Sequence, residues 1–182
     1  MKNNAVKNTV FGLVALFLFS VTSCDSDDDL PSGPPLVVNL FCYGTDSASS
    51  FESTKAFYND VEEVRPSVYR TASFITDESL TVDMNSELQG AGVLLEIVLY
   101  GDRDVVFQSG TYKIDPNQEI GNAFVSYDVD YDSTSATNRG LILTSGYLRV
   151  TPYRTGYAIE IDGDDINGDR FHGIYLGDVT LL

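Results

Sequence analysis

From residue 36 onward, apolar runs of roughly 5 to 11 residues recur between Gly, Asn, Asp and Pro punctuation, and no convincing amphipathic helix intervenes. That rhythm restricts the chain to a small all-β domain. Strands are predicted over 36–43, 54–58, 67–76, 92–100, 110–115, 123–131, 141–151, 157–162 and 170–176. Residues 51–64 also place Phe51, Tyr58 and Val61 at a spacing a short helix could use, and 80–84 allows an extra strand. The sum is an antiparallel meander closed as a small β-barrel or a β-sandwich of about eight to nine strands.

Two runs give the faces. Val125, Tyr127, Val129 and Tyr131 alternate with Ser126, Asp128, Asp130 and Asp132, as expected of an antiparallel strand with one wet side. Val93, Leu95, Ile97 and Leu99 alternate instead with Leu94, Val98 and Tyr100, so that strand is predicted to be central and covered on both sides. Near the C-terminus, Asn167-Gly168 is a two-residue hairpin signal of type I′. A turn there pairs Ile161 with Ile174, Ile159 with Leu176 and Asp165 with Arg170. A four-residue loop, Tyr153-Arg154-Thr155-Gly156, sets Val150 opposite Ile159 and Leu148 opposite Ile161 in the hairpin before it.

The start of the chain has a different logic. Lys2 and Lys7 precede an apolar run from Val10 to Val21, which is shorter than the roughly 20 residues a membrane-crossing helix needs. A basic region, a short apolar stretch and small residues before a break describe a secretory signal. Val21-Thr22-Ser23-Cys24 at the break resembles the bacterial lipobox, which implies a diacylglyceryl thioether on Cys24 and cleavage before it. The plainer alternative is an ordinary signal peptide in which Cys24 is incidental. One acyl chain holds a protein marginally and two or more hold it stably. The run Asp25-Ser26-Asp27-Asp28-Asp29 resembles the surface-export signal of lipoproteins in the Bacteroidota, although a block of like charge also suits a plain solvated spacer. The division expected is therefore a signal peptide over 1–23, a lipidated Cys24 with an acidic Pro/Gly tether to 35, and one β-domain over 36–182.

Charge narrows the partners. The chain carries 27 acids and 11 bases. Loss of residues 1–23 removes two bases and no acid, so the remaining 159 residues have 9 bases against 27 acids, a net charge near −18. Nucleic acid requires a basic footprint and is not expected. Anionic headgroups are repelled too, so a lipid anchor rather than the fold would hold the domain at a membrane. Neutral glycans, cations or an envelope protein remain open as partners, and no cofactor is expected. With Cys24 acylated, Cys42 has no intramolecular partner and reads as a small buried hydrophobe, the sharper alternative being a free reactive thiol.

A second resemblance rests on Val93-Leu94-Leu95-Glu96-Ile97-Val98-Leu99-Tyr100, Ser109-Gly110-Thr111-Tyr112-Lys113-Ile114, Ser145-Gly146-Tyr147-Leu148-Arg149-Val150, Tyr157-Ala158-Ile159-Glu160-Ile161 and Gly173-Ile174-Tyr175-Leu176-Gly177. In that order these segments are similar to an uncharacterised β-domain of Bacteroidota cell-surface lipoproteins. The resemblance implies an outer-membrane, lipid-anchored barrel or sandwich facing the exterior. It brings no active-site residues with it.

Chemistry-bearing groups are few. Asp162, Asp164, Asp165, Asn167 and Asp169 form an oxygen-rich turn that is a weak calcium candidate. It departs from the EF-hand pattern, since Ile174 stands where the bidentate Glu belongs. Asp128, Asp130 and Asp132 could add ligands if their strand lay beside it. His172 is the sole histidine, predicted opposite Gly163, and no Gly-x-Ser-x-Gly or Cys-x-x-Cys accompanies it. Eleven tyrosines and no tryptophan offer Tyr43, Tyr100, Tyr131, Tyr147, Tyr153 and Tyr175 as possible exposed platforms for sugars. The expected function is a non-enzymatic binding or envelope-structural module. Alternatives are a glycan-binding protein of a polysaccharide-uptake system, a lipocalin-like carrier with an unfilled interior, and a glycan-acting hydrolase using paired acids.

Overall fold

The computed structural model describes residues 37–135 and 140–182. Nearly all of it is strand. In chain order the strands are β1 Leu40–Tyr43, β2 Ser49–Glu52, β3 Lys55–Tyr58, β4 Glu62–Arg65, β5 Val68–Thr76, β6 Thr81–Val82, β7 Leu88–Gln89, β8 Ala91–Gly101, β9 Gly110–Ile114, β10 Asn122–Asp132, β11 Leu141–Tyr153, β12 Gly156–Asp165, β13 Arg170–Gly177 and β14 Thr180–Leu181. A single 3-10 turn, Thr45–Ser47, is the only helical piece among the described residues. Residues 51–64 are strands, so the helical option there is overturned.

All nine predicted strands are present, but the architecture is richer than a meander of eight or nine. Twelve strands form one mixed sheet in the order β14-β3-β5-β8-β10-β9-β11-β12-β13-β1-β2, with β4 added beside β5; β6 and β7 pair separately. The sheet is not purely antiparallel, because β9 inserts between β10 and β11 and runs parallel to β10, and β14 runs parallel to β3. The additional strands are mostly two to four residues long, too short for a period-2 pattern to stand out from loop sequence.

The sheet curls into a half-barrel. The chain itself joins its ends: Ser53 donates its N–H to Asn39 O at 2.9 Å on the β1 side, and the next residue, Thr54, donates to Thr76 O at 2.8 Å on the β5 side. Likewise β13 runs on into β14, which pairs with β3. Side chains from strands all around the curl therefore meet in one core. Ile75, Leu95, Ile97, Val125, Leu148, Ile159 and Ile161 are fully enclosed there with Phe41, Phe51, Phe171 and Tyr127. The aromatic rings stack, Phe41 lying 5.4 Å from Phe51 and 5.5 Å from Phe171, and Phe171 lying 4.6 Å from Tyr127. As expected, β8 is central, between β5 and β10, and Val98 and Tyr100 on its other face are also buried.

The hairpin registers divide. Leu148 faces Ile161 and Val150 faces Ile159 as expected, although the connecting loop is shorter, Arg154-Thr155 between the paired Tyr153 and Gly156. In the next hairpin the expected register is off by one. Ile161 faces Gly173, Ile159 faces Tyr175, and Arg170 faces Asp164. The turn is not the two-residue type. Gly168 donates to Asp165 O at 3.0 Å, Asp165 donates to Asp169 O at 2.8 Å, and Gly168 has φ +84, which is a three-residue loop with a glycine bulge. The slip exchanges faces: Phe171 and Tyr175 enter the core, whereas Ile174 and Leu176 are only partly covered.

Candidate functional site

A concavity lies at the end of the half-barrel where β8 passes to β9 and β11 turns into β12. The 102–109 connection and the 152–157 turn enclose a cleft of about 460 Å³, lined by Arg103, Phe107, Gln108, Ser109, Arg154 and Tyr157 among others. Its floor is aromatic. Phe107, 2% exposed, puts its ring 4.9 Å from Tyr157 and 6.0 Å from Tyr58, plugging this end of the core. Both lips are tied down. Tyr112 donates its hydroxyl to Gln108 O at 2.5 Å, and Gln108 Oε1 accepts the Asp102 N–H at 3.2 Å. Burial, helped by Asp102, pushes the Tyr112 phenol up to about 12, so it stays a donor at any working pH. On the other lip, Thr155 donates to Asp178 Oδ1 at 2.6 Å, and Tyr175 donates to Asp178 O at 2.7 Å.

Charged groups lining this cleft are both cationic. Arg103 pairs loosely with Asp102 at 3.6 Å, both well exposed. Arg154 lies 5.2 Å from the centroid of the Tyr153 ring and has no carboxylate partner among the described residues. Neither arginine stood out in the sequence, because nothing in a linear reading shows that positions 103 and 154 face one space.

The acidic turn is arranged differently from a metal loop. Asp162 holds Arg170 through two 3.1 Å contacts, Asp164 accepts from Ser145 Oγ at 3.0 Å, and Asp169 accepts from Thr45 Oγ1 at 3.1 Å. Asp165, 2% exposed, accepts Tyr127 Oη at 2.9 Å on one oxygen and the N–H groups of Asn167 and Asp169, at 2.8 and 3.0 Å, on the other. The carboxylates thus serve separate partners. No three His, Cys, Asp or Glu side chains converge as a metal site among the described residues. Asp165 does not pair with Arg170, and the expectation of an exposed Asp165–Arg170 pair is corrected. Asp128 and Asp132 each cap their own following turn, accepting from Asp130 N and Thr134 N, and β10 is not hydrogen-bonded to β12 or β13.

His172 faces Asp162 on β12 and Cys42 on β1, not Gly163. Its Nδ1 is buried without a hydrogen-bond partner. Burial, reinforced by Arg170 and opposed by Asp162, holds its pKa below the usual 6.5. A base with a depressed pKa in the fold favours the folded state fully above the unfolded pKa and loses that contribution as pH falls, because the unfolded chain then takes the proton first. Stability should therefore decline as pH drops below about 6.5, and His172→Gln should flatten that part of a melting-temperature profile.

Cys42 is buried in β1 and is disulfide-bonded, which corrects the expectation of a cysteine without a partner; the other cysteine, Cys24, lies outside the described residues. So do Asp25, Ser26, Asp27, Asp28 and Asp29. Of the tyrosines proposed as platforms, Tyr153 is exposed and is not among the residues lining the cleft. Tyr43, Tyr131 and Tyr147 are partly covered. Tyr100 and Tyr175 are buried, Tyr100 opposite Arg70 on β5 and Tyr175 through the shifted register. The chain matches no protein-family model, no curated protein and no solved structure.

Proposed function

We propose that this chain is a lipid-anchored binding module of the outer cell surface, tethered through Cys24 and residues 25–35 and presenting the half-barrel outward. The observation that carries the binding role is the cleft between 102–109 and 152–157. Guanidinium, amide, hydroxyl and ring groups converge there on fixed lips, the mixture of apolar wall and a few placed polar groups that small-ligand sites use. The barrel interior is filled by its own aromatic and aliphatic side chains, which favours binding at this end over carriage inside. An anchored domain with such a cleft suits capture of glycans at the envelope.

The anchor is testable apart from the cleft. Cells fed a labelled fatty acid should label the protein, and Cys24→Ala should abolish the label and release the protein from membranes. A thioether and a disulfide are alternative fates of one sulfur, so the acylated protein needs Cys42 as a thiol or bonded to another chain. Alkylation before and after reduction reads that state. Wild-type protein that takes up no label, and in which both cysteines react only after reduction, would overturn the anchor.

A further inference from the structure

We infer that the 102–109/152–157 cleft binds a carboxylate-bearing sugar unit, with Arg154 and Arg103 taking the carboxylate and the Tyr157 side taking the ring. This rests on the binding role proposed above and names its ligand class. The chain is acidic throughout, with 27 acids against 11 bases, and net charge alone points to neutral or cationic partners. The cleft reverses that locally, because its charged lining is Arg103 and Arg154. The nearby acids are not part of the lining: Asp102 pairs loosely with Arg103 at 3.6 Å, a contact a ligand carboxylate would replace, and Asp178 accepts the Thr155 hydroxyl. Arginine's planar fork matches a carboxylate in two parallel hydrogen bonds, which lysine cannot do. Ser109, Gln108 and Thr155 add hydroxyl and amide groups suited to sugar hydroxyls. The volume of about 460 Å³ falls within the range of small-molecule sites.

Backbone strain marks the same place independently. Seven described non-glycine residues have positive φ. Five are Asn39, Asp46, Ser47, Ser67 and Ser86, all with short polar side chains. The two bulky ones are Phe107, at φ +49, and Arg154, at φ +52, and both line the cleft. Bulky side chains at positive φ are outliers, and such strain persists where the surroundings hold it, characteristically at ligand clamps. Arg154 is the first central residue of a two-residue hairpin loop, a position with positive φ that glycine fills at least cost. A glycine there would relax the turn, so an arginine is better explained by what its side chain does than by the fold.

That conflict supplies the test. Full-length protein in detergent is titrated calorimetrically with a galacturonate oligosaccharide, with the matching neutral galactose oligosaccharide, and with inorganic phosphate as competitor, for wild type, Arg154→Gly and Arg103→Ala. The acidic oligosaccharide should bind at least about tenfold more tightly than the neutral one, and each substitution should weaken it about tenfold, the worth of one charge-assisted pair. Arg154→Gly should at the same time raise the melting temperature, which a merely structural arginine would not allow. Absence of binding, equal binding of the neutral sugar, or binding that both substitutions leave unchanged would each overturn the assignment. Phosphate competing as well as the sugar would reduce the cleft to a general anion site and overturn it too. None of these outcomes touches the fatty-acid labelling of Cys24, so the anchor stands or falls separately.

Discussion

Asp165→Ala should destabilise the domain by about 3 kcal/mol, lowering its melting temperature by roughly 6 to 12 °C for a domain of this size. The carboxylate is 2% exposed and serves three donors: the Tyr127 hydroxyl and the N–H groups of Asn167 and Asp169. Truncation leaves a buried phenol without its acceptor and strips two amides from the turn. The Tyr127 phenol does not relieve this by ionising, because burial, the largest cause of its raised pKa, remains when the carboxylate is removed. Arg170→Ala should cost far less, since the arginine and Asp162 are both substantially solvent-accessible and such pairs contribute about 0 to 1 kcal/mol. Asp165→Asn should fall between, keeping one acceptor oxygen. Thermal melts of the three variants check the order. Equal losses for Asp165→Ala and Arg170→Ala would mean that the carboxylate is not held inside the hairpin.

The same hairpin shows where sequence reasoning stops. Asn167-Gly168 is compatible with a two-residue turn and with a three-residue loop ending in a left-handed glycine, and the two differ by one residue of register. Ile159 and Ile161 give an apolar face either way. What decides is the side chain of Asp165, which reaches Tyr127, 38 positions earlier. No local pattern carries that information. Strong alternation, by contrast, placed β8 and β10 almost to the residue, because a strand buried on one or both faces must repeat its apolar positions. The edge strands β2, β4 and β14 have no such obligation. The cleft was illegible for a related reason: it is made by two turns brought together by the curl of the sheet, and its strained residues, Phe107 and Arg154, break rather than follow local preference.

Gly173→Val tests the observed register from the opposite side. Gly173 faces Ile161 on β12 and Phe41 on β1. A Cβ there would stand 2.4 Å from Leu40 O, 2.5 Å from Phe41 Cδ1 and 2.8 Å from Phe41 Cα. Two of those three atoms belong to backbone, so no change of rotamer relieves the contact. Strand β1 would have to move, carrying with it the Phe41 ring that stacks between Phe51 and Phe171. Overpacking of a tight core costs about 1 to 3 kcal/mol and occasionally more, and displacement of a paired strand puts this site at or above the upper end. Ile174→Val, one residue on and only partly covered, should cost roughly 1 kcal/mol or less. A two-residue Asn-Gly turn would reverse that order, because Ile174 would then face Ile161 in the core while Gly173 pointed outward. Urea midpoints of the two variants therefore read the register directly: a larger loss for Ile174→Val than for Gly173→Val is incompatible with Phe171 and Tyr175 lying inside.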